Sequence, residues 1–263
     1  MASEESVIAP GMRGALPTNA ASGSIVYIDE TLVVLNKPAG LSLATPASRP
    51  QAAVDRLLES LPEHVRDVRE LSGRPLLLVH RLDVGTSGLV LLARNEEAHR
   101  QLARALSERK LEKVYLALVW GHPRPREGCL DCPVGPDRRD RRRMKADPRG
   151  SPARSRYRTL AAPPHVSLLE LRPETGRTHQ LRVHLAHAGH WIVGDDLYGG
   201  PRHRGVRDPR VRKLLAPARP LLHAWRLSLP QSLPGCPKQF EAPLPDDFRY
   251  IIRRLGIADS ALV

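Results

Sequence analysis

Short apolar runs, each closed by a turn signal, limit the folds open to this chain. "SIVYIDETLVVLNKPAG" (24–40) reads as two strands around the turn "DET", stopped by Pro-Ala-Gly. "EKVYLALVWG" (112–121) alternates and is rich in β-formers, "SRYRTL" and "HVSLLELRP" pair across "AAPPH", and "LLHAWRLSLP" (221–230) is a further strand. Helical spacing is confined to 50–61, 95–109 with Asn95 as N-cap, 178–190 ending near Gly189, and 246–256. Strands dominate, and the helices do not recur in the rhythm that a βαβ series requires. The pattern therefore predicts a mixed, mainly antiparallel α+β architecture.

At 263 residues the chain has ample core for one large domain or two small ones. No apolar run approaches the eighteen residues of a membrane span, and the N-terminus lacks a signal core, so a cytoplasmic protein with a disordered lead is expected. Cys129, Cys132 and Cys236 are too few for a disulfide framework. The net charge of +13 is more informative, because such an excess points to a polyanion, most often nucleic acid. Arginine outnumbers lysine 35 to 6, which a GC-rich coding bias can produce, but that bias does not create net charge. Residues 135–158 concentrate ten basic side chains against three acidic ones. This segment is either a solvated loop or a mobile arm that neutralises phosphates.

Several chemistries fail on spacing. His179, His184, His187 and His190 do not form the i, i+4 pair with an intervening Glu that a helical zinc site uses, and Cys129-x-x-Cys132 has no second pair. No metal site is expected, which disfavours a metal-dependent nucleic-acid hydrolase. Ser87 is not in a G-x-S-x-G elbow, and neither a phosphate loop nor a dinucleotide fingerprint occurs. Asp195 and Asp196 are adjacent and would point apart, so a paired-carboxylate site is also disfavoured.

"HRLDVGTSGLVLLAR" (80–94) remains: a carboxylate beside an arginine, set between the apolar runs "PLLLV" and "LVLLA". "HRLDVGTSGL" resembles the central motif of the RluA-type pseudouridine synthases. "IVYIDETLVVLNKPAGL" (25–41) resembles that family's opening motif, "KVYLALVWGHP" its tyrosine-bearing strand, and "RPETGRTHQLRVHLAHAGHWIVGDDLYG" its closing motif. Four motifs in order cover roughly 24 to 245. Trp191 departs from the family, which often has proline there.

The resemblance implies the pseudouridine synthase catalytic fold, a long mixed sheet with flanking helices and a central active-site cleft. It implies a single catalytic domain over 24–256, after a lead of 1–23 and before a tail of 257–263; many relatives carry a small RNA-binding module in front, which a lead of 1–23 is too short to hold, so none is expected. Asp83 takes the place of the catalytic aspartate, Tyr115 of the tyrosine packed on the target base, and Arg182 of the arginine paired with that aspartate. Arg81 matches the arginine that holds the flipped nucleotide's place. With His80, Arg177, His179 and the segment's Arg138, Arg139, Arg141, Arg142, Arg143 and Lys145, it makes up the expected RNA-binding set. Asn36, Lys37 and Pro38 are read as a structural turn. The implied activity is isomerisation of a uridine in an rRNA or tRNA stem-loop by a monomer, with no cofactor, nucleotide or metal. Desolvation would raise the pKa of the aspartate, and the neighbouring arginine would offset that. The competing reading is a non-catalytic RNA-binding or ribosome-assembly factor on the same scaffold.

Overall fold

The computed structural model describes residues 14–15, 23–45, 48–49, 51–61, 75–230 and 239–262. Its strands are β1 (Gly14–Ala15), β2 (Ser24–Ile28), β3 (Leu32–Lys37), β4 (Leu77–Leu78), β5 (Ser87–Ala93), β6 (Glu112–Trp120), β7 (Glu127–Asp131), β8 (Val134–Pro136), β9 (Met144–Ala146), β10 (Arg154–Ala161), β11 (Val166–Pro173), β12 (Leu222–Ser228) and β13 (Gln239–Glu241). The helices are α1 (Ala52–Glu59), α2 (Glu96–Ser107), α3 (Gln180–His187), α4 (Pro209–Leu214) and α5 (Asp246–Arg254). Eleven strands form one sheet in the order β1-β2-β3-β5-β12-β6-β11-β10-β7, with β4 also on β5 and β13 also on β12. β8 and β9 form a separate hairpin.

Local chemistry sets the elements. The Asp29 carboxylate accepts from the Thr31 and Leu32 N–H groups at 2.7 and 2.8 Å, which closes the β2–β3 turn as an Asx turn. Asn95 caps α2 through the Ala98 N–H at 2.8 Å. Alternation along β6 decides what each face meets. Leu116 and Leu118 pack with Phe248, Ile251 and Ile252 of α5, whereas Ala117 and Val119 pack with Leu181 and Leu185 of α3. The other half repeats the plan, with Val33, Leu35, Val90 and Leu92 against α1 and Val34, Leu89 and Leu91 against α2. Each such fully buried aliphatic side chain is worth about 1.5–3 kcal/mol, more than a helix cap of about 1 kcal/mol, so packing fixes the helices in place.

The two halves meet at β5 and β12, the one parallel pairing among the described strands, with Ser87 opposite His223 and Gly88 opposite Ala224. Gly88 has φ +111°, and a Cβ there would lie 2.2 Å from the Ala224 carbonyl oxygen. The seam therefore requires glycine. Ser87 Oγ and His223 Nδ1 are 2.9 Å apart and buried across it.

Three expectations need correction. Gly14–Ala15, placed in the disordered lead, pairs antiparallel with β2; residues 1–13 and 16–22 lie outside the described residues. The expected tail is packed, with Ile257 buried and Ala261 and Leu262 against the α5 cluster. The basic segment, expected as a solvated loop or a mobile arm, contains a packed hairpin, because Val134 and Ala153 bury against Val183 of α3, with Met144 and Ala146 beside them.

Candidate active site

Asp83 lies in the turn that leads into β5, and the backbone of that turn is held from several sides. The Thr86 N–H donates to the Asp83 carbonyl at 3.0 Å, and the Val84 carbonyl accepts from the Gly40 N–H at 2.7 Å. Arg219 Nη1 reaches the Gly85 carbonyl at 3.4 Å. Lys37 is fully buried, and its Nζ donates to Pro38, Leu41 and Val84 carbonyls at 2.8, 3.1 and 3.5 Å. Burial draws its pKa down to about 8, with the Asp83 charge opposing the fall. Asn36 and Lys37, expected in a turn, instead end β3, and Lys37 ties that strand end to the turn that carries Asp83.

With the backbone fixed, the Asp83 side chain, 24% exposed, meets two partners from the 178–187 region. Arg182 Nη1 lies 3.5 Å from Oδ2, and His179 Nε2 lies 4.0 Å from Oδ1. Arg182 is nearly buried, and its two shorter contacts, both 2.7 Å, go to Asp195 in bidentate form. Sequence reading assigned this arginine to Asp83 alone; the structure divides it between two carboxylates. Asp195, 1% exposed, is committed to that fork, and Asp196 points to solvent; the two side chains diverge in a run of turns rather than on the extended segment expected.

His179 has φ +56° and ψ +16°, a left-handed backbone that costs a residue other than glycine about 1–2 kcal/mol. Gln180 holds it there. Its Oε1 accepts from the Arg177 N–H and the Thr175 hydroxyl at 3.0 and 2.7 Å, and its Nε2 donates to the Arg154 carbonyl and Ser155 Oγ at 3.0 and 2.9 Å. The Tyr198 hydroxyl lies 2.8 Å from His179 Nδ1 and accepts the Met144 N–H at 2.8 Å. Both Arg182 and Arg143 stack their guanidinium groups on the Tyr198 ring, at 4.9 and 5.3 Å from its centroid. Burial lowers the His179 pKa, with the Asp83 charge opposing. Tyr198 and Asp195 were missed as site residues; the "GDDLYG" motif that carries them was the available signal.

Tyr115 lines the same cleft, and burial, reinforced by the Asp83 charge, raises its phenol pKa, so it stays protonated. The cleft encloses about 880 Å³ among Asp83, Tyr115, His179, Arg182, Arg81 and Arg177. A second hollow of about 1010 Å³ lies beside α2, lined by Glu96, Glu97 and Glu108 together with Arg94, Arg104 and Lys110, so it carries no excess of positive charge for a polyanion. Arg81 is exposed at the cleft, with Nη2 3.3 Å from Thr178 Oγ1, and Arg177 Nε donates to the Pro152 carbonyl at 3.2 Å.

The remaining expected RNA contacts divide. Arg138, Arg139 and Arg141 are exposed and lack a carboxylate partner among the described residues. Arg142 pairs with Asp140 at 2.7 Å, and Lys145 with Asp147 at 3.4 Å. Arg143 is held on Tyr198, and its buried Nε has no hydrogen-bond partner among the described residues. His80 differs from expectation: its Nε2 accepts the Leu91 N–H at 3.3 Å, and burial lowers its pKa to about 3. It anchors β5 as a neutral ring. His184 and His190 are likewise bonded to protein groups, at Ser155 and the Cys132 carbonyl and at the Trp120 carbonyl. No cluster of three or more His, Cys, Asp or Glu able to hold a metal occurs among the described residues, and no described helix is long and apolar enough to cross a membrane. Cys129 and Cys132 are free thiols, and Cys236 lies outside the described residues.

Known proteins resemble this chain over most of its length. Residues 31–187 match the family model described as RNA pseudouridylate synthase. A Chloroflexus aurantiacus protein described as an uncharacterized RNA pseudouridine synthase is 42% identical over 84% of this chain and 65% of its own. The ribosomal large subunit pseudouridine synthase D of Nitrosomonas europaea is 37% identical over 88% of this chain and 64% of its own. The chain thus spans slightly less than two thirds of the length of these two relatives. Among solved structures, human RNA pseudouridylate synthase domain containing 4 superposes with a TM-score of 0.67 at 28% identity, covering 88% of this chain and 92% of that one. With a model match over more than half its length and relatives above 30% identity, the chain belongs to the RNA pseudouridylate synthase family.

Proposed function

We propose that this protein isomerises a uridine of structured RNA to pseudouridine, with Asp83 as the reacting carboxylate. The observation that carries the reading is the Asp83 carboxylate, set between Arg182 and His179 in a cleft that Tyr115 also lines. The reaction breaks the bond from N1 to C1′, turns the base, and forms the bond from C5 to C1′. N1 gains a proton and C5 loses one, so no oxidant, donor or hydrolytic water is consumed. Asp83 either attacks C1′ or removes the 2′ proton; both routes use its carboxylate form. The target must leave its helix, and the cost of a few kcal/mol is met by stacking and phosphate contacts. Tyr115 offers the ring for that stacking, and Arg138, Arg139 and Arg141 offer unpaired charge to phosphates.

Large-subunit rRNA is the substrate we favour, because relatives over 88–91% of this chain carry that name. The test is incubation of the purified protein with unmodified large-subunit rRNA transcript carrying tritium at uridine C5. Release of tritium and a mapped pseudouridine are expected, and neither should occur with Asp83→Asn. Binding without release by the wild-type protein would favour the non-catalytic RNA-binding reading.

A further inference from the structure

Arg182 takes one oxygen of Asp83, and the other oxygen faces His179. We propose that His179 is a positioning residue whose Nε2–H holds Oδ1 of Asp83, with its tautomer set by the Tyr198 hydroxyl. The inference rests on the pseudouridine synthase reading and adds a group to it.

The proton count supports the assignment. The Tyr198 oxygen already accepts the Met144 N–H, so the hydroxyl proton is available to His179 Nδ1, which lies 2.8 Å away. A ring that accepts at Nδ1 and is neutral carries its proton on Nε2. Burial keeps His179 on the neutral side, and the Tyr198 phenol, raised by its own burial, keeps its proton. Nε2–H then points toward Oδ1 across 4.0 Å. Hydrogen bonds of this kind tighten when substrate fills a site, and closing by about 1 Å brings the pair into bonding range. The arrangement also accounts for the backbone. An unfavourable left-handed conformation at a histidine is kept by four Gln180 hydrogen bonds in the adjoining loop, and it places the ring between Tyr198 and Asp83.

Two substitutions separate positioning from structure. Gln places its amide nitrogen near the position of Nε2 and can donate to Asp83, though it tolerates the left-handed backbone poorly. Asn tolerates that backbone well but is too short to reach Asp83. Single-turnover rates and RNA affinities would be measured for His179→Gln, His179→Asn and Tyr198→Phe on large-subunit rRNA transcript. We expect His179→Asn to lose about ten- to a hundredfold in rate, the worth of one hydrogen bond to a charged group, with affinity changed less than about threefold. His179→Gln should recover most of that loss, and Tyr198→Phe should fall between the two because either tautomer becomes available. An Asn variant as fast as Gln, or faster, would show that His179 serves only the turn and would overturn the proposal. An Asn variant that loses affinity and rate together would place His179 on the RNA and overturn it equally. A wild-type protein that binds the transcript but never releases tritium would instead sink the functional reading.

Discussion

Removing the Asp195 carboxylate should destabilise the protein more than any single change at the cleft surface. Asp195 accepts two bonds of 2.7 Å from a guanidinium that is nearly buried with it. Charge-assisted bonds are worth about 1.5–3 kcal/mol each, so the gross loss in Asp195→Ala is about 3–6 kcal/mol. Arg182 would keep one carboxylate, Asp83 at 3.5 Å, which limits the uncompensated charge and sets the expected cost near the lower end, about 3 kcal/mol. Asp195→Asn retains one acceptor oxygen and should lose about half as much. Urea unfolding at pH 7 gives the comparison: the midpoint should fall with the slope unchanged, which marks a change of stability rather than of denatured-state compactness. Both variants should also slow the single-turnover rate, because Arg182 is then free to close on Asp83. An Asp195→Ala midpoint within about 1 kcal/mol of wild type would refute the reasoning, since the pair would then be no stronger than an exposed ion pair.

Asp83→Asn should abolish pseudouridine formation while RNA affinity, measured by filter binding, falls less than about tenfold. Replacing Arg138, Arg139 and Arg141 with Gln should lower the slope of log affinity against log salt by roughly 0.7 to 0.9 per lost phosphate contact, with the saturated single-turnover rate unchanged. Gly88→Ala should cost about 3 kcal/mol or more, seen in soluble yield and melting temperature, because its Cβ would collide with the Ala224 carbonyl. Lys37 binds fewer protons folded than unfolded between about pH 8 and its ordinary 10.5, so stability should rise with pH across that window. The rise should reach about 3 kcal/mol at most and be missing from Lys37→Met, as urea midpoints at pH 7.5 and 10.5 would reveal.

Period and turn chemistry made the central strands readable, because β6 and β11 carry alternating or continuous apolar side chains and Asp29 announces its turn. β7, at the sheet edge, was not readable: "EGCLD" alternates exposed with half-buried positions and has almost nothing apolar to reveal a period. The β8–β9 hairpin was hidden by its charge, since its few core contacts, Val134 and Met144, are spread among arginines. At the site, the motifs located Asp83, Tyr115 and Arg182, but not the division of Arg182 between two carboxylates. That division depends on Asp195, thirteen residues away, returning to α3 through a loop without periodic signal. His80 misled because its neighbours are polar while its ring turns inward to β5.

The parallel seam between β5 and β12 also sets an order of assembly. Ser87 and His223 are 136 residues apart, so the contact closes only after β12 has left the ribosome. Everything before it, β2 to β5 with α1 and α2 and then β6 to β11 with α3, can pair locally while translation proceeds. Asp83 sits at the edge of the first group, and Arg182 and His179 belong to the second. A nascent chain still lacking β12 therefore carries both sets of groups without holding them together. The cleft around Asp83 is complete only once that last central strand is delivered, and a product released before it would hold Asp83 apart from Arg182 and His179.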